Sequence, residues 1–309
     1  MYNWYKERIH VDQQSKIIIG LGDSFTQGQG ACDVDVWEKY NWDIKAMSST
    51  NNVDVLDSNY NNSWVHQLCK NHLPDYTPIN FGFNGRGNRA AIKELYLHPE
   101  LNLELARKKI VVFPISGHER FDFVDKEYDG EHKHFITMWP DIGTKITERK
   151  LWQSYAEFVW SERSSIIELL LNIAELKTWC DLHNAKLILT SAFSTSVNRE
   201  TFIQKIRGED KHDPLYGQIE HIEKLVDIVN WDEFLYPIGY DCISDFLLYM
   251  ENRPDLINGK TTWPFHQYGY DSEKFSENGY ITKCAHPSKL GHKEIARMLH
   301  KHLIDKKYI

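Results

Sequence analysis

A serine near the start of the chain and a histidine near its end lie in surroundings that suit acyl transfer. Ser24 follows an apolar run of β-branched residues, 16–19, so it stands where a buried strand ends. Open α/β sheets hold their ligands at that edge. His286 is followed by a proline, which restricts the backbone of the histidine to extended conformations. A serine nucleophile needs such a base to remove its proton, together with N–H donors for the oxyanion.

A glycine turn in the middle of the sequence offers one of those donors. The run 78–81 predicts a short strand, and the glycine-rich segment 82–88 follows it. Its glycines, Gly85 among them, have no Cβ, so the backbone of this turn can approach a substrate closely. The alternatives are structural, namely a helix N-cap for Ser24, a surface loop for His286 and an ordinary turn for Gly85.

Strands alternate with helices along the chain, and this predicts the scaffold for these residues. Apolar runs predict strands at 16–19, 78–81, 109–115 and 186–190, and 225–229 is the candidate for a fifth. Helical spacing is present at 64–73, 89–97, 165–176 and 295–303. Such alternation is typical of a parallel sheet in a doubly wound α/β fold.

Three stretches lack sustained periodicity, and we interpret them as long loop insertions: 29–62, 121–160 and 196–280. No linker composition separates them from the rest, so we expect a single domain over residues 1–309. The aromatic side chains between Tyr236 and Tyr270 could stack on sugar rings, although packing inside the insertion is the commoner use of such residues.

The composition indicates which kinds of partner and which cellular compartment to expect. The chain has 41 % hydrophobic residues and a formal net charge of −8, which is ordinary for a globular protein and argues against nucleic acid as a partner. Its five cysteines are scattered without a paired spacing, which predicts reduced thiols. No apolar segment reaches the length of a membrane span or a signal peptide. We therefore expect a cytoplasmic protein without a membrane partner, and a phage or virion protein also fits.

Signals for metals and cofactors are weak. The segment 131–134 contains two histidines and a glutamate that could hold a metal ion, but a solvated charged loop is the commoner structure. The glycines after the first strand lack both the dinucleotide-binding spacing and a phosphate-binding lysine. The sequence thus predicts no metal and no cofactor.

Three blocks resemble those of the SGNH (GDSL-type) hydrolase family. Residues 22–25, Gly-Asp-Ser-Phe, resemble the first block, 80–85 the second and 284–292 the last. The resemblance implies that Ser24 is the nucleophile and His286 the general base, with the N–H groups of Ser24 and Gly85 forming the oxyanion hole. It also implies a three-layer α/β/α flavodoxin-like fold with a five-stranded parallel sheet.

The chain departs from the family pattern at two positions. Glu119 stands where the third block has an asparagine whose amide donates to the oxyanion, so Arg120, His118 or backbone donors alone would stabilise that charge. Lys283 stands where the last block has the aspartate that orients the histidine. That third member of the triad is then absent, replaced by a backbone carbonyl, or displaced to another acid such as Asp271 or Glu277.

The predicted function is that of a serine-dependent ester hydrolase that works through an acyl-enzyme on a small-molecule or carbohydrate ester. Asp23, Glu119 and Arg120 are candidate auxiliary residues beside Ser24 and His286. The alternative is a catalytically weak or inactive protein of the same fold that binds a glycan or a protein partner.

Overall fold

The computed structural model describes residues 11–41, 52–118, 120–124, 135–138, 150, 153–155, 157, 160–193, 197–208, 210–252, 279–282 and 286–309. The strands in these ranges are β1 (Lys16–Gly20), β2 (Thr77–Asn80), β3 (Lys108–Ile115), β4 (Phe121–Val124), β5 (Phe135–Met138) and β6 (Ala185–Ser191). The helices are α1 (Ser24–Gln27), α2 (Val34–Lys39), α3 (Val53–Asn62), α4 (Trp64–His72), α5 (Asn88–Leu97), α6 (Glu162–Leu182), α7 (Arg199–Arg207), α8 (Ile219–Val226), α9 (Ile243–Met250) and α10 (Lys289–Asp305).

The centre of the fold is a parallel sheet with the strand order β2-β1-β3-β6. In β1, Ile17 and Ile19 join the hydrophobic cluster on one face, and Ile18 joins the cluster on the other. This alternation follows from the period of two along a strand, and a strand apolar on both faces must be covered on both. The predicted α/β class is therefore confirmed.

Helices cover both faces of the sheet. On one face, α5, α6, α7 and α8 contribute the side chains that pack against Val111 and Phe113 of β3. On the other, α4, α9 and α10 pack against Ile110 and Val112 of the same strand. The result is a three-layer α/β/α arrangement. Within the described ranges, no helix combines the length and the apolar character needed to cross a membrane.

The expectation of a five-stranded sheet is wrong, because the described parallel sheet has four strands. Residues 225–229 are not a strand, since they form the end of α8 and the turn after it. Ile222, Val226 and Val229 are buried at a spacing of three to four residues, which is a helical period rather than the period of two of a strand. A single parallel bridge joins Thr190 to Leu235, next to β6, where a fifth strand would lie.

The expectation of long loops in the three insertions is also wrong for the parts that the structure describes. The first contains α2 and α3, the second contains the antiparallel pair β4 and β5, and the third contains α7, α8 and α9. Helix α3 was missed because it buries polar side chains such as Ser58 and Asn62, both of which donate to the Asp33 carboxylate. Such a helix lacks the apolar stripe that reveals amphipathic helices.

The strand order also locates the ligand edge. The chain leaves β1 towards β2 on one side and later returns to β3 on the other, so the connections diverge at the carboxyl ends of β1 and β3. In doubly wound sheets the crevice at this switch point binds ligands. Ser24 follows β1 there, and Ser116 follows β3.

The four described cysteines, Cys32, Cys69, Cys180 and Cys242, are buried free thiols. Burial raises the pKa of Cys69 and of Cys180 to about 12, so both thiols stay protonated at neutral pH. This state agrees with the predicted reduced thiols, whereas Cys284 lies outside the described residues.

Candidate active site

A tight turn after β1 presents Ser24. Gly22 has φ +142°, and a Cβ on it would lie 2.5 Å from the Thr26 hydroxyl, so the turn needs a glycine. Asp23 is the N-cap of α1, and its Oδ1 accepts a hydrogen bond of 2.9 Å from the Phe25 N–H. Ser24 is therefore the first residue of the helix rather than its cap, and its hydroxyl is left to other contacts.

A closed loop before α10 presents His286. The His286 carbonyl accepts hydrogen bonds from the Thr282 N–H at 2.9 Å and from the Thr282 hydroxyl at 3.0 Å. Ser288 then caps α10 by accepting from the Gly291 N–H at 3.0 Å. A Cβ on Gly30, where φ is +92°, would lie 3.1 Å from the His286 Cβ. The segment after Ser24 can thus approach the histidine loop closely only because residue 30 is a glycine.

These two elements bring Ser24 and His286 together across 262 positions of sequence. The Ser24 Oγ and the His286 Nε2 are 2.9 Å apart, which is hydrogen-bonding distance. Ser24 is 4 % exposed and His286 6 % exposed. The Phe25 ring lies beside the imidazole, with 5.7 Å between the ring centroids. A histidine that accepts at Nε2 carries its proton on Nδ1, so the pair can transfer the serine proton to the ring.

The Gly85 turn lies beside the Ser24 turn, and Asn80 connects them. The Asn80 Oδ1 accepts from the Gly82 N–H at 2.9 Å, and its Nδ2 donates to the Thr26 carbonyl at 2.8 Å. Gly85 is half-buried and has φ +74°, a left-handed conformation that favours glycine. Within the described part of the chain, neither the Ser24 N–H nor the Gly85 N–H donates to a protein acceptor.

A buried carboxylate lies directly behind the serine. Asp23 is 1 % exposed, and its Oδ2 accepts from the Ser116 hydroxyl at 2.9 Å and from the Arg120 Nη1 at 3.0 Å. Arg120 therefore neutralises the charge beside Ser24, and the Ser116 contact joins the carboxyl ends of β1 and β3. Sequence reasoning missed Ser116, whose signal was a serine immediately after a predicted strand.

Of the other predicted site residues, His118 makes a contact with α6, and the rest lie outside the described residues. The His118 ring lies 3.6 Å from the Glu162 carboxylate of α6. Glu119 and Lys283 lie outside the described residues, as do Asp271, Glu277, the segment 131–134 and most of the aromatic stretch up to Tyr270. Among the described residues, no group of three or more His, Cys, Asp or Glu side chains could hold a metal ion.

A second histidine near the site was not predicted to matter. His292 lies in the first turns of α10, is fully buried, and accepts a hydrogen bond of 3.2 Å from the Trp64 N–H at its Nδ1. Burial and the nearby His286 lower its pKa to about 3. The ring is therefore neutral at physiological pH and connects α10 to the start of α4.

Comparison with known proteins returned only distant structural likenesses. No protein-family model and no curated protein matches the chain. Among solved structures, the acetyl xylan esterase AlAXEase has a TM-score of 0.37 and 14 % identity, over 92 % of this chain and 98 % of its own. The acetylxylan esterase Axe2 from Geobacillus stearothermophilus has a TM-score of 0.37 and 14 % identity, over 95 % and 96 %.

LAE5, an α/β hydrolase from the metagenome of Lake Arreo in Spain, has a TM-score of 0.36 and 12 % identity, over 93 % of this chain and 94 % of its own. Likenesses of this size transfer no residue role and no substrate. What the protein does must follow from its own site.

Proposed function

We propose that the protein is a serine-dependent ester hydrolase with Ser24 as nucleophile and His286 as general base. The observation that supports this most is the distance of 2.9 Å between the Ser24 Oγ and the His286 Nε2 at the carboxyl edge of the sheet. A serine hydroxyl is a weak nucleophile by itself, and a neutral imidazole at hydrogen-bonding distance is the partner that activates it.

The reaction proceeds in two halves. In the first, the Ser24 Oγ attacks the acyl carbon while the His286 Nε2 takes its proton, and the same proton then passes to the departing alcohol. In the second, His286 removes a proton from water, the hydroxide attacks the acyl-enzyme, and Ser24 regains its proton as the acid leaves. The burial of both side chains limits the access of bulk water to the proton transfer.

The N–H groups of Ser24 and Gly85 are the proposed donors to the oxyanion. Ser24 is the first residue of α1, and the first N–H groups of a helix have no partner within it. Two backbone donors form a working oxyanion hole even though residue 119 supplies no side-chain amide.

The substrate class is a small acyl ester, and an acylated carbohydrate is the more specific proposal. The reaction as proposed uses no metal and no cofactor. A panel of p-nitrophenyl esters of increasing acyl length, with an acetylated oligosaccharide beside it, separates simple esterase activity from carbohydrate deacetylation.

Covalent labelling tests the nucleophile. We expect a fluorophosphonate to modify Ser24 of the wild type, with the modified peptide identified by mass spectrometry, and Ser24→Ala to abolish the modification. Ser58→Ala is the matched control, because Ser58 is a buried serine of α3 that donates to the Asp33 carboxylate instead of to a histidine. It should be labelled as the wild type is.

Labelling of a different serine, or no labelling with a concentrated probe, would overturn the assignment. In the second case the fold would serve the alternative function, binding of a glycan or a protein without turnover.

A further inference from the structure

One nitrogen of Arg120 makes two hydrogen bonds that join the two halves of the proposed oxyanion hole. Its Nη1 donates to the Asp23 Oδ2 at 3.0 Å and to the Arg86 carbonyl at 2.7 Å. A guanidinium Nη carries two hydrogens, so both bonds can form at once. The side chain is 9 % exposed, which shields both bonds from solvent.

The two acceptors are next to the two proposed donors in sequence. Asp23 precedes Ser24, and the peptide between them carries the Ser24 N–H. Arg86 follows Gly85, so its carbonyl is fixed one residue beyond the Gly85 N–H. Any movement of one turn relative to the other would break at least one of the Arg120 bonds.

We propose that Arg120 is a positioning residue that sets the spacing between the Ser24 and Gly85 N–H groups. The inference rests on the proposed hydrolase function for its catalytic meaning. In this role Arg120 acts through its Nη1, whose two hydrogens are directed to Asp23 and Arg86. It acts through the backbone that joins Asp23 to Ser24 and the backbone that joins Gly85 to Arg86.

Packing holds Arg120 in this position. Its guanidinium carbon lies 4.9 Å from the centroid of the Phe193 ring, and the Phe193 ring lies 5.5 Å from that of Phe25. A cation over an aromatic face is attracted to it, and the planar group loses little additional freedom there. Phe25 in turn flanks His286, so the same ring stack borders the base.

The Gly85 turn is also held from its other side. The Arg86 Nη1 donates to the Phe81 carbonyl at 3.2 Å, and its Nη2 lies 2.6 Å from the Glu94 carboxylate of α5. These bonds fix the turn on α5 and on the end of β2, but they do not reach the Ser24 turn. Asn80 joins the two turns through the Thr26 carbonyl, and the Phe83 N–H donates to the Gly22 carbonyl at 3.2 Å. Arg120 adds the connection that ends on the residues next to the two proposed donors.

Kinetics per active site test the proposal. Arg120→Lys keeps a positive charge beside Asp23, but its side chain is one bond shorter than that of arginine, so it loses the contact to Arg86. We expect kcat per fluorophosphonate-titrated site to fall about 10- to 100-fold with KM changed less than about threefold, because misplaced groups lower the rate of the chemical step. Arg120→Met should lower kcat at least as much and also lower the thermal stability.

Arg163→Lys is the matched control. Arg163 likewise donates to a carboxylate, that of Asp213, and to a backbone carbonyl, that of Arg207, but these bonds involve neither the Ser24 turn nor the Gly85 turn. Its kcat per titrated site should equal that of the wild type. Equal kcat in Arg120→Lys, or an equal loss in Arg163→Lys, would contradict a positioning role for Arg120.

Crystal structures give a readout that does not need turnover. In Arg120→Lys the distance between the Ser24 and Gly85 amide nitrogens should change by more than about 0.5 Å, the tolerance of a productive site, and in Arg163→Lys it should not change. An unchanged distance in Arg120→Lys overturns the spacing role. A wild type that neither turns over esters nor labels overturns the hydrolase function instead, and the two failures are thereby distinguished.

Discussion

Two histidines six positions apart in sequence have opposite surroundings and, we infer, opposite tasks. His286 precedes α10 in a loop, with its Nε2 against the Ser24 hydroxyl. His292 lies within α10, fully buried, with its Nδ1 accepting from the Trp64 N–H. One ring faces a group that can give up a proton, and the other faces a backbone amide that cannot. The comparison shows that the partner of each ring nitrogen, rather than the residue type, separates a candidate base from a structural contact.

Removal of the two side chains should also affect the stability of the fold differently. Removal of the His286 side chain takes away a base but keeps the two Thr282 hydrogen bonds, since these go to the His286 carbonyl. Removal of His292 leaves the Trp64 N–H buried without an acceptor. Loss of activity and loss of stability should therefore separate between the two positions.

The largest expected effect follows from His286→Gln. We expect kcat/KM for a p-nitrophenyl ester to fall about 10⁴- to 10⁶-fold, because the serine loses its base, while the melting temperature stays within a few degrees of the wild type. Stopped assays with active-site titration, beside differential scanning calorimetry, measure both quantities. A residual activity within tenfold of the wild type would show that His286 is not the base.

His292→Leu should have the opposite signature. The unpaired Trp64 N–H should lower the free energy of unfolding by about 1–3 kcal/mol, while kcat per titrated site stays within a few-fold of the wild type. His292→Asn is the matched variant, because its side-chain oxygen can take the place of Nδ1 and recover part of the stability. Urea unfolding measures the difference, and an undiminished stability in His292→Leu would contradict the structural role.

The smallest effect is the part of the pH dependence of stability that His292 contributes. Its pKa is about 3 in the folded protein against 6.5 for an unperturbed histidine, so between these values the unfolded chain binds a proton there that the folded protein does not. The free energy of unfolding therefore falls as the pH is lowered, and at pH 5 this group alone accounts for about 2 kcal/mol relative to pH 7.5. His292→Asn lacks this titrating group. The difference in the free energy of unfolding between the wild type and His292→Asn should therefore be about 2 kcal/mol smaller at pH 5 than at pH 7.5.

The quantity to measure is the difference in the free energy of unfolding between the wild type and His292→Asn, because other buried groups also titrate. Burial lowers the pKa of His66 to about 4, which acts in the same direction as His292. Burial and the nearby Asp241 raise the pKa of Asp245 to about 6, which acts in the opposite direction between pH 3.8 and 6. Urea titrations of both proteins at each pH cancel these shared contributions. A deficit that is the same at pH 5 and at pH 7.5 would contradict the low pKa of His292.

Much of the scaffold could be predicted from local patterns. The isoleucines of β1 and the apolar residues of β3 and β6 are consecutive, so burial on both faces is visible in the sequence itself. Helix α10 shows its apolar residues at helical spacing after a serine cap. These features depend on neighbours within a few positions, which is why pattern reasoning finds them.

The errors come from segments whose burial is decided by partners far away in sequence. Helix α3 is stabilised in part by polar side chains that contact Asp33, and these resemble a loop when they are read alone. The run 225–229 is apolar enough for a strand, but it closes a helix that packs on α7 and on the sheet. No local pattern contains those contacts.

The sequence by itself determined which residues could do chemistry, because the glycine turns after β1 and β2 and the proline after His286 are local constraints on the backbone. Only the tertiary structure decided that Ser24 and His286 are 2.9 Å apart and that Arg120 bridges Asp23 and Arg86. The physical reason is that these contacts join separate turns, which approach one another only after the strand order β2-β1-β3-β6 has aligned their carboxyl ends at one edge.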